Sequence, residues 1–149
     1  MLEQLAKPYK LDEGGQIVPA EYPPRRISAS AGLISTIEDL AKYDIAIDRH
    51  QLIRSGTQEK AWTPAVSSSG QTLPYGLGWF IQQHKGARLV WHYGYWPGSF
   101  SALYLKIPAR AATLFLLANS DGLSRPFKLG QGDVTVSDFA RAFLDSQGI

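Results

Sequence analysis

The sequence lacks cysteine and is poor in charge. Without cysteine, disulfides, thiol nucleophiles and cysteine-bound metals are excluded. Charged residues make up 19% of the 149 residues, below the ~25% usual in soluble domains. The net charge is only +2 and the Lys and Arg residues are scattered, which argues against a nucleic-acid partner. No apolar run reaches the ~18 residues of a membrane span.

The chain divides by composition into an arm and a domain. Residues 1–30 are rich in Pro and Gly and show no periodicity, so we expect an irregular arm that lies across other structure. Its first residues lack a charged stretch followed by an apolar run, and we expect no secretory signal there; the compartment stays open. Residues 31–149 form the domain, with a helical piece over 31–65 and a sheet plus C-terminal helix over 75–147.

Capping and spacing signals predict the helices. The Ser35-Thr-Ile-Glu38 pattern is a capping box and predicts a helix over 36–48. A shorter helix is expected from Thr57 to just before Pro64. The first helix should bury the face that contains Ile37, Leu40, Ala41, Asp44 and Ile45.

The C-terminal helix has the clearest periodicity. Its apolar residues follow helical spacing over 136–146. Thr135 or Ser137 is expected to cap its start, and Gly148 its end. The apolar stripe should pack on one face of a sheet, and it comprises Val136, Phe139, Ala140, Phe143 and Leu144.

The middle of the chain predicts a sheet. Because the connections are short, consecutive strands should pair as an antiparallel meander, and the fold class is α+β. The expected strands are Leu77–Gln83, Arg88–Tyr93, Phe100–Ile107 and Thr113–Ala118.

The fourth predicted strand is apolar on both faces although a meander leaves it at the edge. Such an edge invites pairing with another strand. We therefore expect either a strand from elsewhere beside Thr113–Ala118, or a homo-oligomer formed through it.

Most catalytic motifs are missing. None of the seven lysines has a serine three residues earlier, and there is no Gly-x-Ser-x-Gly or Walker sequence. The three histidines lack metal-site spacing, so no metal and no cofactor are expected. The segment Trp91–Gly98 remains, in which His92 precedes Gly94 near a strand end. One interpretation is a ligand-lined strand; the alternative is an aromatic core with His92 as a hydrogen-bonded edge residue.

Five blocks in order resemble the C-terminal half of the serine β-lactamase-like family, which includes class C β-lactamases, low-molecular-weight penicillin-binding proteins and related esterases and peptidases. The resemblance covers about residues 30–120, and the C-terminal helix fits it, which implies a partial β-lactamase/transpeptidase-like fold. The blocks are Ser30–Ala41, Tyr75–Trp79, His92–Gly94, Phe100–Pro108 and Leu116–Asn119.

This resemblance implies a specific site. The family uses Ser-x-x-Lys, Tyr-x-Asn, and Lys-Thr-Gly or His-x-Gly; only the third is present, as His92-Tyr-Gly94. The resemblance implies catalytic roles for His92, Gly94 and Tyr95, the last through an oxyanion-binding N–H. It implies substrate contacts for Tyr93, Trp96 and Ser99.

Three interpretations remain open. The chain is expected to be a hydrolase fragment, inactive alone, that acts on a small acyl substrate (a β-lactam, ester or peptide) once a missing N-terminal part completes it. Alternatively it is a non-catalytic binding or dimerisation module, or one half of a split enzyme.

Overall fold

Helices cover both faces of a four-stranded antiparallel sheet in this computed structural model, which describes residues 5–24, 27–28 and 30–149. The sheet order is β3-β4-β5-β6, a meander, which confirms the predicted α+β class. The elements are β1 (Tyr9–Leu11), β2 (Ile17–Pro19), α1 (Ile37–Asp48), α2 (Ser55–Ala61), β3 (Phe80–His84), β4 (Ala87–Trp96), β5 (Phe100–Ile107), β6 (Ala112–Ala118) and α3 (Asp138–Ser146).

Five strand boundaries differ from the predicted ones, and two of them differ by three residues. β3 begins at Phe80 rather than Leu77, because the preceding residues form a turn in which the Gly76 N–H donates to the Trp79 carbonyl at 2.8 Å. β4 runs on to Trp96 rather than stopping at Tyr93, since its pairing with β5 continues to that residue. The longer β4 matters for the candidate site below.

The main core lies between the sheet and α3. Ser137 caps α3 by accepting from the Ala140 N–H, which confirms one of the two predicted caps. Ala140 and Leu144 of the predicted stripe are buried, whereas Val136 and Phe139 are exposed. The buried residues of this core are Leu89, Trp91, Leu103, Leu105, Ile107, Leu129, Val134, Ala140, Leu144 and Ile149.

A smaller core lies on the opposite face, under α1 and α2. It comprises Ile47, Ala61, Trp62, Ile81 and Val90, with Trp79 packed against it. Arg88 on β4 ties α2 to the sheet, since its guanidinium pairs with Glu59 and lies 5.8 Å from the centre of the Trp62 ring.

The predicted cap and buried face of α1 are corrected by the structure. Thr36, not Ser35, is the N-cap, because its backbone is extended and its hydroxyl accepts from the Asp39 N–H at 3.2 Å. Ile37 and Ile45 are exposed. Asp44, which also belongs to the predicted face, does point toward the sheet, where its carboxylate meets the Lys106 ammonium at 2.7 Å.

The expected irregular arm contains a short hairpin. β1 pairs with β2 in antiparallel register, and Asp12 closes the turn by accepting from the Gly14 and Gln16 N–H groups. This Asx-type turn chemistry is a local signal that the sequence already carries. Residues 1–4, 25–26 and 29 of the predicted arm lie outside the described residues.

The arm touches the sheet beside its edge strand. β6 is the edge, as predicted, and the Tyr9 N–H donates to the Asn119 carbonyl just beyond it at 2.8 Å. The Asn119 side-chain amide donates back to the Lys7 carbonyl at 2.9 Å. Within the described part of the chain, no helix is long and apolar enough to span a membrane.

Candidate active-site wall

β4 extends beyond its neighbour β3. The β3 residues pair with β4 residues 87–91, and the register ends where Phe80 meets Trp91. Residues 92–96 of β4 pair with β5 on their other side. Among the described residues, this five-residue stretch therefore has a strand partner on one side only, and its second edge is open.

Alternation along β4 divides the predicted site residues between two faces. His92, Gly94 and Trp96 share the face that α1 and α2 cover further along the sheet, while Tyr93 and Tyr95 share the opposite face. His92, Gly94 and Trp96 are all exposed. A Cβ placed on Gly94 would have no neighbour within 4 Å, so the backbone at this point is open to a ligand.

His92 is held by a tyrosine that sequence analysis did not identify. The Tyr75 hydroxyl lies 2.9 Å from His92 Nε2. Partial burial lowers the pKa of His92, and a hydrogen bond to the Tyr93 backbone opposes this shift. The imidazole is therefore neutral near pH 7.

Tyr75 is itself fixed by its surroundings. Its carbonyl accepts from the Ala65 N–H at 2.9 Å, and its ring packs edge-on against Phe80 with centroids 4.6 Å apart. The next residue is Gly76, where an added Cβ would lie 2.3 Å from the Ala61 carbonyl oxygen. Only glycine allows this close approach of the loop to the end of α2.

Hydrogen bonds from the segment that follows β6 hold the turn between β4 and β5. Asp121 is buried, and its carboxylate accepts from the Gly98 N–H at 2.8 Å. The Ser124 hydroxyl donates to the Gly94 carbonyl at 3.3 Å. The 119–128 segment thus supports the open stretch of β4 from the side that does not face the site.

Trp96 lines a groove between this turn and the arm. The groove is open and has a volume of about 650 Å³. The Tyr22 ring lies near Phe100, with centroids 6.4 Å apart. The lining residues are Lys10, Pro19, Ala20, Glu21, Tyr22, Pro24, Trp96, Pro97 and Gly98.

The structure brings together some predicted site residues and separates others. His92, Gly94 and Trp96 line one exposed face, and the exposed Tyr95 side chain lies on the opposite face. The Tyr93 ring packs against the α3 core instead. Ser99 is 1% exposed and its hydroxyl has no partner among the described residues, so its burial gives no support to a substrate contact.

Sequence analysis missed two residues that contact the predicted site, Tyr75 and Asp121. Tyr75 lies in a block that carried the resemblance, but no local spacing links it to His92, 17 residues away. The role of Asp121 depends on a contact with Gly98 across 23 residues. Neither contact follows the spacing of a helix or a strand, so the sequence pattern does not predict it.

No nucleophile of the expected kind accompanies this wall. Within residues 5–24, 27–28 and 30–149, no serine hydroxyl is hydrogen-bonded to a lysine amine or a histidine ring. Lys106 is engaged by Asp44 and Asp48 inside the fold.

Comparison with known proteins identifies the family of the chain. A family model described as Beta-lactamase matches residues 3–133. Penicillin-binding protein 4* of Bacillus subtilis (strain 168) is 34% identical over 89 residues, which cover 58% of this chain and 19% of that relative. The chain thus spans about a fifth of the length of the curated relative it matches.

The family match and the relative place the chain among the serine β-lactamase-like hydrolases, and its α+β fold is consistent with that class. With a family match over residues 3–133, the chain belongs to the β-lactamase family.

Proposed function

We propose that this chain forms one wall of an acyl-transfer cleft. The observation that supports it is the stretch 92–96 of β4, which runs past β3 with one backbone edge open and with His92 and Gly94 exposed on one face. An extended acyl substrate could lie along this edge, since strand edges offer unpaired N–H and C=O groups.

Four of the five residues in the stretch have a proposed role. The Tyr95 N–H is an oxyanion donor, and one such donor lowers a barrier by roughly 3–4 kcal/mol. Gly94 lets the ligand approach the backbone. His92 orients the ligand beside the open edge, and Trp96 contacts it from the groove of about 650 Å³.

The substrate class follows from the charge of His92. A neutral imidazole is a weaker anchor for a carboxylate than an ammonium group. Because the pKa of His92 is lowered, the site favours neutral esters or peptides over β-lactams that carry a carboxylate.

The attacking group of this cleft lies outside these 149 residues. Neither Ser-x-x-Lys nor Tyr-x-Asn occurs in the sequence, so the wall is inactive alone and acts with a nucleophile from further sequence of the same protein or from another polypeptide. A covalent acyl-enzyme cannot form without that atom.

A ligand titration tests the wall itself. We would record ¹⁵N amide spectra of the chain during titration with phenyl acetate, a neutral ester, and expect saturable shifts confined to residues 92–96 and their neighbours. Gly94→Val should abolish them, because the new side chain enters open space and blocks the ligand without straining the fold.

Gln83→Val is the matched control. Gln83 is exposed on β3 at the other end of the sheet, so a valine there adds the same side chain away from the wall and should leave the shifts intact. Shifts that persist in Gly94→Val, or that map to the α3 face, would contradict the proposal.

A dimerisation module is the second candidate. β6 is an edge strand and its Leu117 is 46% exposed, which favours edge-to-edge pairing with a second copy. Light scattering at increasing concentration should then show a dimer that Leu117→Lys dissociates. A chain that remains monomeric at high concentration would exclude this candidate.

A further inference from the structure

We infer that Tyr75 is a positioning residue for His92: its hydroxyl donates a hydrogen bond to Nε2 and holds the imidazole in its neutral, Nδ1-protonated tautomer. This inference rests on the proposed role of β4 as a cleft wall. It adds to that wall a group from the loop before β3.

The contact has the geometry of a hydrogen bond within an aromatic cluster. The Tyr75 oxygen lies 2.9 Å from His92 Nε2, and the two rings meet at 65° with centroids 5.9 Å apart. Phe80 packs against both rings, at 4.6 Å from Tyr75 and 5.8 Å from His92. The imidazole thus has little freedom to rotate.

The chemistry of the two groups sets the direction of the hydrogen bond. A phenol donates a hydrogen bond more strongly than it accepts one, and the unprotonated nitrogen of a neutral imidazole is a good acceptor. The Tyr75 hydroxyl therefore donates to Nε2, the nitrogen that it faces. The ring proton is then on Nδ1.

The surroundings of His92 are uncharged. The neighbouring titratable groups are Tyr75 on the loop, Tyr93 on its own strand and Tyr104 opposite on β5. Among the described residues, no charged side chain contributes to the shift of the His92 pKa, whose main cause is burial. Tyr75 is therefore the side chain that determines the hydrogen bonding of Nε2.

This hydrogen bond determines which atom of the cleft wall can accept a hydrogen bond from the substrate. The Nε2 lone pair is occupied, so His92 cannot accept a proton from a ligand while Tyr75 stays in place. The Tyr75 oxygen keeps its own lone pairs and can accept from an N–H or O–H of the bound substrate. The substrate-facing acceptor is then a phenol oxygen rather than a ring nitrogen.

Histidine ¹⁵N spectroscopy of the full 149-residue chain tests the inference without any hydrolysis assay. In the unaltered chain at pH 8, His92 should show a protonated Nδ1 and an unprotonated Nε2. In Tyr75→Phe the lost hydrogen bond should raise the pKa of His92 by about half to one unit and allow both tautomers.

Tyr43→Phe is the matched control, because Tyr43 lies exposed on α1 and its loss should leave His92 unchanged. A ring protonated at Nε2 in the unaltered chain would overturn the inference, and this measurement needs no variant to fold. An unchanged pKa and tautomer in folded Tyr75→Phe would also overturn it. Since the readout is the state of His92, its failure is distinct from a failure of ligand binding at 92–96.

Discussion

The Nζ atom of Lys106 lies 2.7 Å from the Asp44 carboxylate, and only 1% of the lysine side chain is exposed. Tyr104 and Thr113 also donate to Asp44, and Asp48 accepts a second bond from the ammonium. This network joins α1 to β5 and β6.

Lys106→Met should destabilise the fold. The substitution keeps the size of the side chain but leaves the Asp44 carboxylate without its cation, and an unpaired charge of this kind costs about 3 kcal/mol. Urea unfolding should show that loss in the free energy of unfolding. Adding Asp44→Asn should restore part of it, because the remaining group is neutral.

Lys42→Met provides the control for that experiment. Lys42 also pairs with a carboxylate, Asp39 at 2.9 Å, but both side chains are largely exposed. We expect no measurable change in stability. Equal losses in the two lysine variants would show that burial of the Lys106 pair is not what matters.

Gly76→Ala should disturb the loop that carries Tyr75. The new Cβ would lie 2.3 Å from the Ala61 carbonyl oxygen, so the loop must move, and overpacking of this kind costs about 1–3 kcal/mol. The urea midpoint should fall. Gly56→Ala in α2, where a Cβ meets nothing within 4 Å, should be neutral or stabilising.

Acid unfolding should depend on Asp133. Burial alone would raise its pKa, but hydrogen bonds from Thr135 and Gln82 outweigh burial and hold the pKa below its usual range. A lowered carboxyl pKa contributes stability that is complete above pH ~4 and is lost as the pH falls through the folded value. Asp133→Asn should lose about 1 kcal/mol at pH 7 and flatten the stability profile below pH ~4.

Urea titrations between pH 7 and pH 2 measure this profile. Asp138→Asn is a suitable control, because Asp138 is exposed at the start of α3 and pairs with exposed Arg141. If the free energy of unfolding of Asp133→Asn falls with pH as steeply as that of the unaltered chain, Asp133 does not contribute to acid unfolding.

Asp121→Asn should loosen the turn that supports the wall. The carboxylate accepts from the Gly98 N–H at 2.8 Å, and hydrogen bonds to a charged group contribute about 1.5–3 kcal/mol. Hydrogen exchange at the Gly98 amide should accelerate more than exchange in α3. Uniform acceleration across the chain would show that the bond supports global stability rather than this turn.

Local patterns predicted the sheet well. β5 has the predicted bounds, and β6 starts one residue earlier than predicted, because apolar alternation and the turn residues between the strands are properties of the local sequence. The cap of α3 at Ser137 also follows from local chemistry. The His92–Gly94 motif was found through the resemblance, and the structure places both residues on one exposed face.

Contacts between distant residues account for what was missed. The predicted buried face of α1 included Ile37 and Ile45, which are exposed, and the ion pair that turns Asp44 toward the sheet joins residues 62 apart in sequence. Tyr75, the partner of His92, lies in the loop before β3, 17 residues away in sequence. No local pattern links two residues at that distance. Strand alternation places the Tyr93 side chain on the sheet face opposite to Gly94. The substrate contact that the resemblance implied for Tyr93 did not take this alternation into account.

Intact-mass measurement after incubation with a fluorescent penicillin and with p-nitrophenyl acetate shows whether the 149-residue chain can be acylated by itself. If the 149 residues form a cleft wall without a nucleophile, the mass stays unchanged and neither compound is turned over above the buffer rate. A stable acyl adduct on any serine of this chain, lost together with turnover when that serine is replaced, would contradict the account.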